Sequence, residues 1–283
     1  MSVKISAELV NELRRRTGVG MNKCKEALEA ASGDMEKAID FLRKSGMAGA
    51  VKKEGRETKE GLIGHAESKN AVALVEVNAE TDFVAQNEKF RQFLKELCQD
   101  AAEKHPKSLE EFLKMKATSD PRITIDELRA LVIQSLGENI QVKRMQLFMK
   151  DPSLSIGVYS HMGGKIVVVV ELSGGSGHEI LARDIAMHTA AEAPEYLRPE
   201  DVPHAVKMRE EEIARGQVAG KPPQIIDKIV EGKLKAFYDQ VCLVCQKFVK
   251  DNAITIRDLL EKESKRLGKT INIQRYVRWK IGE

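Results

Sequence analysis

An α+β fold built from two copies of one half-domain is what this sequence predicts, and two observations predict it. The chain nearly repeats itself at a constant offset of 131 residues. That offset aligns Ile123-Thr124-Ile125 with Ile254-Thr255-Ile256, Leu128 with Leu259, Leu136-Gly137 with Leu267-Gly268, Ile140 with Ile271, Arg144 with Arg275 and Phe148 with Trp279, without a gap. Upstream, Ile63-Gly64 is similar to Ile156-Gly157, and Val75-Glu76-Val77 to Val170-Glu171-Leu172. The second observation is the apolar pattern, which reads in each copy as a hairpin, a helix, a second helix and a strand. The resulting plan is a three-helix module over residues 1–46, a linker over 47–60, core subdomain N over 61–150 and core subdomain C over 151–198 plus 250–283. An inserted helical hairpin of coiled-coil character fills 199–249.

In the N-terminal module, Ser6 can cap a first helix whose Leu9, Val10 and Leu13 share one side. Gly18 and Gly20 break the chain before a helix carrying Cys24, Ala27 and Leu28. Asp34 can cap a third, with Met35, Ala38, Ile39 and Leu42 at helical spacing and Gly46 as its stop. The module resembles a ubiquitin-associated three-helix bundle. So small a bundle buries little, and an apolar edge at Thr17-Gly18-Val19-Gly20-Met21 suggests a docking surface. The alternative is that Met21 merely completes the core. The charged run Lys52 to Glu60 lacks apolar periodicity and reads as a tether that lets the module swing.

In the first core copy, Ala71 to Val77 reads as a half-buried strand, and Phe90, Phe93, Leu94 and Leu97 mark an amphipathic helix. Between them lies Asn78-Ala79-Glu80-Thr81-Asp82-Phe83-Val84, which puts a large aromatic beside a carboxylate where strand becomes helix. At the same junction the second copy has Ser173-Gly174-Gly175-Ser176-Gly177, so the fold alone does not demand Phe83 there. Its ring either covers its own sheet or is presented outward, and the sequence leaves both open. Further on, Thr124 with Glu127 forms a capping box, Gly137 ends that helix, and Ile140 to Arg144 alternates like a strand. Thr255, Asp258 and Gly268 repeat the plan. In the insertion, the turn Gly220-Lys221-Pro222-Pro223 precedes a heptad-like stripe of Ile226, Val230, Leu234, Phe237 and Val241, faced by a thinner set, Val202, Val206 and Ile213. Such a hairpin is expected to project and to self-associate or meet a partner, unless it packs back on the core.

Composition excludes several classes. At 283 residues, 42% apolar and 31% charged, the chain is an ordinary soluble globular sequence rather than a disordered one. Its N-terminus has no apolar signal core and Ile166 to Val170 is too short to span a bilayer, so no membrane association is expected and the cytoplasm is the expected location. The 46 basic and 43 acidic residues nearly balance, which argues against a nucleic-acid binder. Four cysteines lie in three separate places. Cys242-Leu243-Val244-Cys245 has a redox or half-zinc spacing, but it follows a helix and no second pair completes a metal site, so buried thiols are expected, with no metal and no cofactor.

Catalytic patterns are missing too. No glycine loop has the spacing of a phosphate cradle, so direct nucleotide binding is not expected. His178 and His188 flank one helix, yet Asp184 stands at no convincing triad spacing from either. Glu80 and Asp82 alternate along an extended segment and would point to opposite faces. The chain is therefore not expected to be an enzyme. Gln274 to Lys280 interleaves basic and aromatic residues in the manner of a stacking platform, but Trp279 is the repeat equivalent of Phe148, which favours core.

Several segments taken together resemble the translation elongation factor Ts family. Leu13-Arg14-Arg15-Arg16-Thr17-Gly18-Val19-Gly20-Met21, followed by Cys24-Lys25 and Ala27-Leu28, is similar to its N-terminal signature. Thr81-Asp82-Phe83-Val84-Ala85 is similar to its second, and Leu136-Gly137-Glu138-Asn139-Ile140 and Ile185-Ala186-Met187-His188 to two further motifs. The resemblance spans essentially the whole chain. It implies a guanine-nucleotide exchange factor for elongation factor Tu, with Thr81, Asp82, Phe83 and Val84 displacing the GTPase's magnesium. It also implies partner contacts by Leu136, Gly137 and His188 in the core and by Arg14, Met21 and Lys25 on the module. Asn22 and Lys23 depart from the family's usual Met and Asp, which shrinks the apolar patch and reverses one charge. Two rival readings stand beside it: a binder of small proteins acting through residues 1–46, and an RNA accessory factor acting through Arg275, Arg278 and Lys280.

Overall fold

The computed structural model describes residues 5–218 and 223–283. It is a mixed α+β chain in two compact units, one running to Met149 and including Lys280–Glu283, the other Lys150–Trp279. The expected turn at Gly220-Lys221-Pro222 lies outside the described residues.

The first unit opens with α1 (Ala7–Thr17), α2 (Met21–Ala30) and α3 (Met35–Val51). Ser6 and Asp34 cap α1 and α3 through their side chains, and Gly18 ends α1 in the left-handed region at φ 68°. Leu13, Val19, Cys24, Leu28 and Leu42 form the small core of the bundle. Val19 is thus inside, and the apolar edge expected around it reduces to Met21, 39% exposed.

Gly46 does not stop α3. The helix runs five residues beyond it, through the first part of the segment expected as a linker. The reason is packing: Gly46 and Ala50 are buried one turn apart on α3, and a Cβ at Gly46 would already stand at contact distance, 3.5 Å, from the Ala130 carbonyl oxygen. Small residues here let α3 lie closely along α7 (Ile125–Leu136). Charged contacts reinforce the seat, with Arg43 3.0 Å from Glu127 and Arg122 2.9 Å from Glu36. Lys89 Nζ and Ser135 Oγ both donate to the Gly18 carbonyl, at 2.7 and 2.8 Å. The bundle is therefore seated on the first unit instead of swinging on a tether, and only residues 52–59 form an irregular connection.

Strands β1 (Glu60–Glu67) and β2 (Ala71–Ala79) make an antiparallel hairpin. After β2 come α4 (Asp82–Gln86), α5 (Glu88–Lys104), α6 (Leu109–Lys114), then α7, and β3 (Ile140–Met149) adds antiparallel to β2 to give the order β1-β2-β3. All nine residues of β2 are buried, as a central strand covered on both faces requires. Its buried Glu76 is matched by Arg144 at 2.6 Å. Phe90, Phe93 and Leu97 of α5 and Ile133 of α7 fill the core above Val75 and Val77. The capping box at Thr124–Glu127 is present, and Gly137 ends α7 at φ 86°.

The second unit holds β4 (Leu154–His161), β5 (Ile166–Ser173), α8 (Glu179–Glu192), α9 (His204–Gly216), α10 (Pro223–Val241), β6 (Lys247–Phe248), β7 (Asp251–Thr255), α11 (Ile256–Leu267) and β8 (Asn272–Lys280). Its larger sheet has the order β4-β5-β8, the same plan as the first. Thr255 and Asp258 form the matching capping box and Gly268 the matching stop. Trp279 and Phe148 are both buried, so neither ring serves as a stacking platform.

Helices α9 and α10 pack on each other as the hairpin. Val230 and Val241 of the expected stripe are buried, and Ile226, Leu234 and Phe237 half-buried. On α9 the inward residues are Val206 and Ala214, while Ile213, expected among them, is 44% exposed. It lies one position, about 100° of helix, off the contacting face. No described helix is long and apolar enough to cross a membrane.

Gly157 marks the tightest approach between β4 and α8. A Cβ there would fall 2.2 Å from the Arg183 nitrogen and 2.4 Å from the Ala182 carbonyl carbon. Gly157→Ala should therefore destabilise the second unit by about 2 to 3 kcal/mol. Urea unfolding followed by the fluorescence of Trp279 measures this, and unchanged stability would show that α8 can retreat from the strand without cost.

Candidate functional site

The junction between β2 and α4 decides where Phe83 points. Thr81 is the N-cap of α4, its hydroxyl accepting from the Val84 N–H at 3.4 Å. That cap starts a single turn whose successive residues face different ways. Ala85 is fully buried and Val84 packs against the core, which leaves Asp82 and Phe83 outward. Phe83 is 83% exposed, the most exposed of the large apolar side chains among the described residues. The ring does not cover its own sheet. An isolated exposed apolar residue is ordinary on a protein surface, so the backbone beneath it matters more than the exposure itself.

That backbone is held from several sides. Glu138 accepts from Thr81 twice, Oε2 from the N–H at 3.0 Å and Oε1 from the hydroxyl at 2.7 Å. Glu80 returns the contact by accepting the Asn139 N–H at 2.6 Å, and it is also 3.4 Å from Arg56. Asn139 is fully buried and its Nδ2 donates to the Arg56 carbonyl at 2.9 Å. Lys53 Nζ donates to the Gly137 carbonyl at 2.7 Å. Burial lowers the Lys53 pKa from its ordinary value, helped by the nearby charges of Arg56 and Lys23. Residues 80–81, 137–139 and 53–56 are thus laced into one platform, with the first turn of α2 close enough for Lys23 to act on Lys53.

Of the residues singled out by sequence, Thr81, Asp82, Phe83 and Val84 come together with Leu136 and Gly137 in this platform. Arg14, Met21 and Lys25 are exposed on α1 and α2, in the same unit. The sequence assigned no role to Glu138, Lys53, Ser135 or Lys89. Glu138 and Thr81 are 57 positions apart, and no periodicity pairs them.

His188, expected among the partner contacts, lies elsewhere, away from this platform. It is fully buried in the second unit. Its Nε2 meets Gln246 Oε1 at 3.0 Å and its Nδ1 accepts the Val249 N–H at 3.3 Å. That pairing requires the neutral tautomer with the proton on Nε2. The ring ties α8 to the residues on either side of β6 and reaches no surface. Asp184, considered beside it, pairs with Lys250 at 2.6 Å.

The four cysteines are free thiols. Burial pushes Cys98 and Cys242 up to about 12, the latter helped by Cys245, so neither is a ready nucleophile at neutral pH. Among the described residues no group of three or more His, Cys, Asp or Glu side chains is arranged to hold a metal ion.

Comparison with known proteins adds the remaining observation. A family model described as Elongation factor TS matches residues 80–283, starting at the platform's Glu80. The chain is 54% identical over 279 residues to the elongation factor Ts of Protochlamydia amoebophila, covering 99% of each chain. It is 44% identical over 277 residues to that of Chlamydia trachomatis serovar L2 and 45% identical over 277 residues to that of Chlamydia caviae, with 98% of each chain covered in both cases.

The buried His188 makes a pH prediction. Burial lowers its pKa from the ordinary 6.5, outweighing its bond to Gln246. The unfolded chain then takes up a proton near pH 6.5 that the folded chain refuses, so this contribution is full above pH 6.5 and is lost as pH falls toward the depressed folded value. Urea unfolding of the second unit, read by Trp279 between pH 7.5 and 5.5, should show stability falling on acidification, with a shallower fall in His188→Gln. Equal slopes in the two proteins would mean that the ring is protonated without cost.

Proposed function

We propose, because this chain belongs to the elongation factor Ts family, that it is the guanine-nucleotide exchange factor for elongation factor Tu in translation elongation. It binds the GDP-bound GTPase and promotes GDP release by disturbing the magnesium and phosphate site with the Thr81-Asp82-Phe83-Val84 tip. The observation that carries this reading is a phenylalanine ring 83% exposed beside a carboxylate, on a turn held from beneath. The role needs no covalent chemistry from this chain.

A GTPase holds a diphosphate through backbone donors and a magnesium ion that offsets phosphate charge, so displacing the ion or its ligands weakens nucleotide sharply. Phe83 is a rigid wedge whose full burial in a partner contributes roughly 2 to 3 kcal/mol. Asp82, beside it, brings a negative charge that competes for or repels groups around the ion. Weakening nucleotide by about three decades requires a coupling of about 4 kcal/mol. The ring alone does not supply that. Docking through Arg14, Met21 and Lys25, and through the exposed Gly137 next to the tip, supplies the rest and holds the wedge in register. His188 contributes by fixing α8 rather than by touching the GTPase.

The apolar stripe of the inserted hairpin is used mainly between its own helices. Self-association through it would rest on Met208, Ile213 and Ile225, which are 50%, 44% and 48% exposed. A substitution at the stripe therefore tests hairpin order more than exchange.

Release of labelled GDP from elongation factor Tu, with this protein at substoichiometric amounts, tests the proposal. Wild-type protein should accelerate release catalytically. Phe83→Ala should fold normally, still associate with the GTPase, and lower the maximal release rate by roughly tenfold or more. An unchanged rate refutes the wedge, and failure of the wild-type protein to accelerate release refutes the exchange role itself.

A further inference from the structure

We infer that Glu138 is the positioning residue for the prong, holding Phe83 outward through its double contact with Thr81; this rests on the exchange reading above. The geometry has three parts. Both carboxylate oxygens are committed to one residue, accepting the Thr81 N–H at 3.0 Å and its hydroxyl at 2.7 Å. Thr81 is itself the N-cap of α4, so a carboxylate that fixes Thr81 also fixes the first turn carrying Asp82 and Phe83. Glu138 in turn sits between Gly137, which closes α7, and the buried Asn139, whose N–H is accepted by Glu80. The carboxylate is thus anchored to the helix end and the strand start behind it. Hydrogen bonds to an ionised acceptor are about twice as strong as neutral ones, and a two-point contact adds direction to strength.

The internal repeat supplies a comparison within the same chain. The 131-residue offset places Lys269 where Glu138 stands. At that junction the second copy carries the glycine loop rather than a capped turn with an aromatic. A Cβ at Gly174 would fall 2.6 Å from the Thr270 carbonyl, and one at Gly175 3.0 Å from Lys269 Nζ. There the backbone itself closes against the α11–β8 connection, and no carboxylate is needed. Clamp and prong occur together in one copy and are both absent from the other.

A five-residue helix such as α4 has almost no intrinsic stability, because nucleation consumes nearly all the bonds it makes. Without the clamp, the turn would sample many orientations, and the ring would have to be ordered at the moment of insertion into the GTPase. That cost falls on the step in which nucleotide is displaced and not on the initial docking, which other surfaces provide. The expected signature is a loss in kcat for exchange with little change in KM.

The test uses the full-length chain with Glu138→Gln, which keeps size but turns one acceptor oxygen into a donor. Exchange kinetics on elongation factor Tu loaded with labelled GDP should show kcat lowered by about tenfold, with KM changed less than about twofold. In a Phe83→Ala background the same substitution should change kcat by less than about twofold, since an absent ring cannot be mispositioned. Hydrogen exchange of the free protein reads the clamp without any GTPase: amides of residues 82–86 should exchange faster in Glu138→Gln, while those of α5 stay protected. The inference is overturned by an unchanged kcat, by losses that multiply with Phe83→Ala, by unaltered protection at 82–86, or by equal loosening of α5, which would make Glu138 a general structural residue. If the wild-type protein fails to accelerate GDP release, the exchange reading falls, and the hydrogen-exchange arm still decides whether Glu138 holds the turn.

Discussion

A ring left in water acts as a probe only if the chain beneath it resists the collapse that would fold it back, and here that resistance comes from two carboxylates facing opposite ways. Glu138 reaches from the end of α7 to Thr81, and Glu80 reaches from the end of β2 to the Asn139 N–H. Each acidic side chain satisfies backbone of the other's segment, so neither segment can shift alone. Asn139 then passes the restraint to the 53–56 connection through its buried amide. The exposed Phe83 and Asp82 ride on this crossed pair, with Ala85 sealed below them. Leaving an aromatic exposed forgoes roughly 2 to 3 kcal/mol of burial, a loss the folded chain tolerates because these contacts stabilise the turn in place.

The same platform explains why the N-terminal bundle is seated rather than free. Lys53, just beyond α3, holds the Gly137 carbonyl, while Lys89 and Ser135 hold the Gly18 carbonyl. The loop before α2 is therefore positioned by residues of α5 and α7, and the loop before β3 by the connection that follows α3. Much of this seat is charged and partly exposed, so its strength falls with ionic strength, whereas the Gly46–Ala50 face against α7 does not depend on charge. A docking surface of modest apolar content gains from being carried in register with the tip, because less freedom is lost when a partner engages both.

Much of the fold was legible in the sequence for a local reason. Ser6, Asp34, Thr124 and Thr255 are caps whose partners lie three residues on, and Gly18, Gly137 and Gly268 are stops, each in the left-handed region. The misread positions are those where a distant partner overrides a local signal. Gly46 reads as punctuation until Ala130 is seen beside it, and a glycine one turn from an alanine is also how a helix buries a close-packed face. Ile213 carries the apolar signal on α9, yet the contacting face runs through Ala214. The burial of His188 was equally invisible, because its neighbours Gln246 and Val249 are brought to it only by tertiary folding. For Phe83 the sequence held two answers open, since exposure depends on which side of one helical turn meets the sheet. Ala85, two residues on, takes the inward place.

Reversibility sets an upper bound on how strong the wedge should be. Under the proposed exchange role, coupling between partner and nucleotide is reciprocal: the factor by which this chain would loosen nucleotide is also the factor by which incoming nucleotide would loosen this chain. A prong with several buried aromatics would weaken nucleotide further but would leave the complex too tight for nucleotide to reverse at ordinary concentrations. In the proposed role, one phenylalanine, worth roughly 2 to 3 kcal/mol on burial, would leave most of the affinity to surfaces that do not compete with nucleotide, and a rigid mount would let that modest energy act on the phosphate site rather than on ordering the turn. A single clamped ring is thus better matched to repeated exchange than a larger or looser insertion would be.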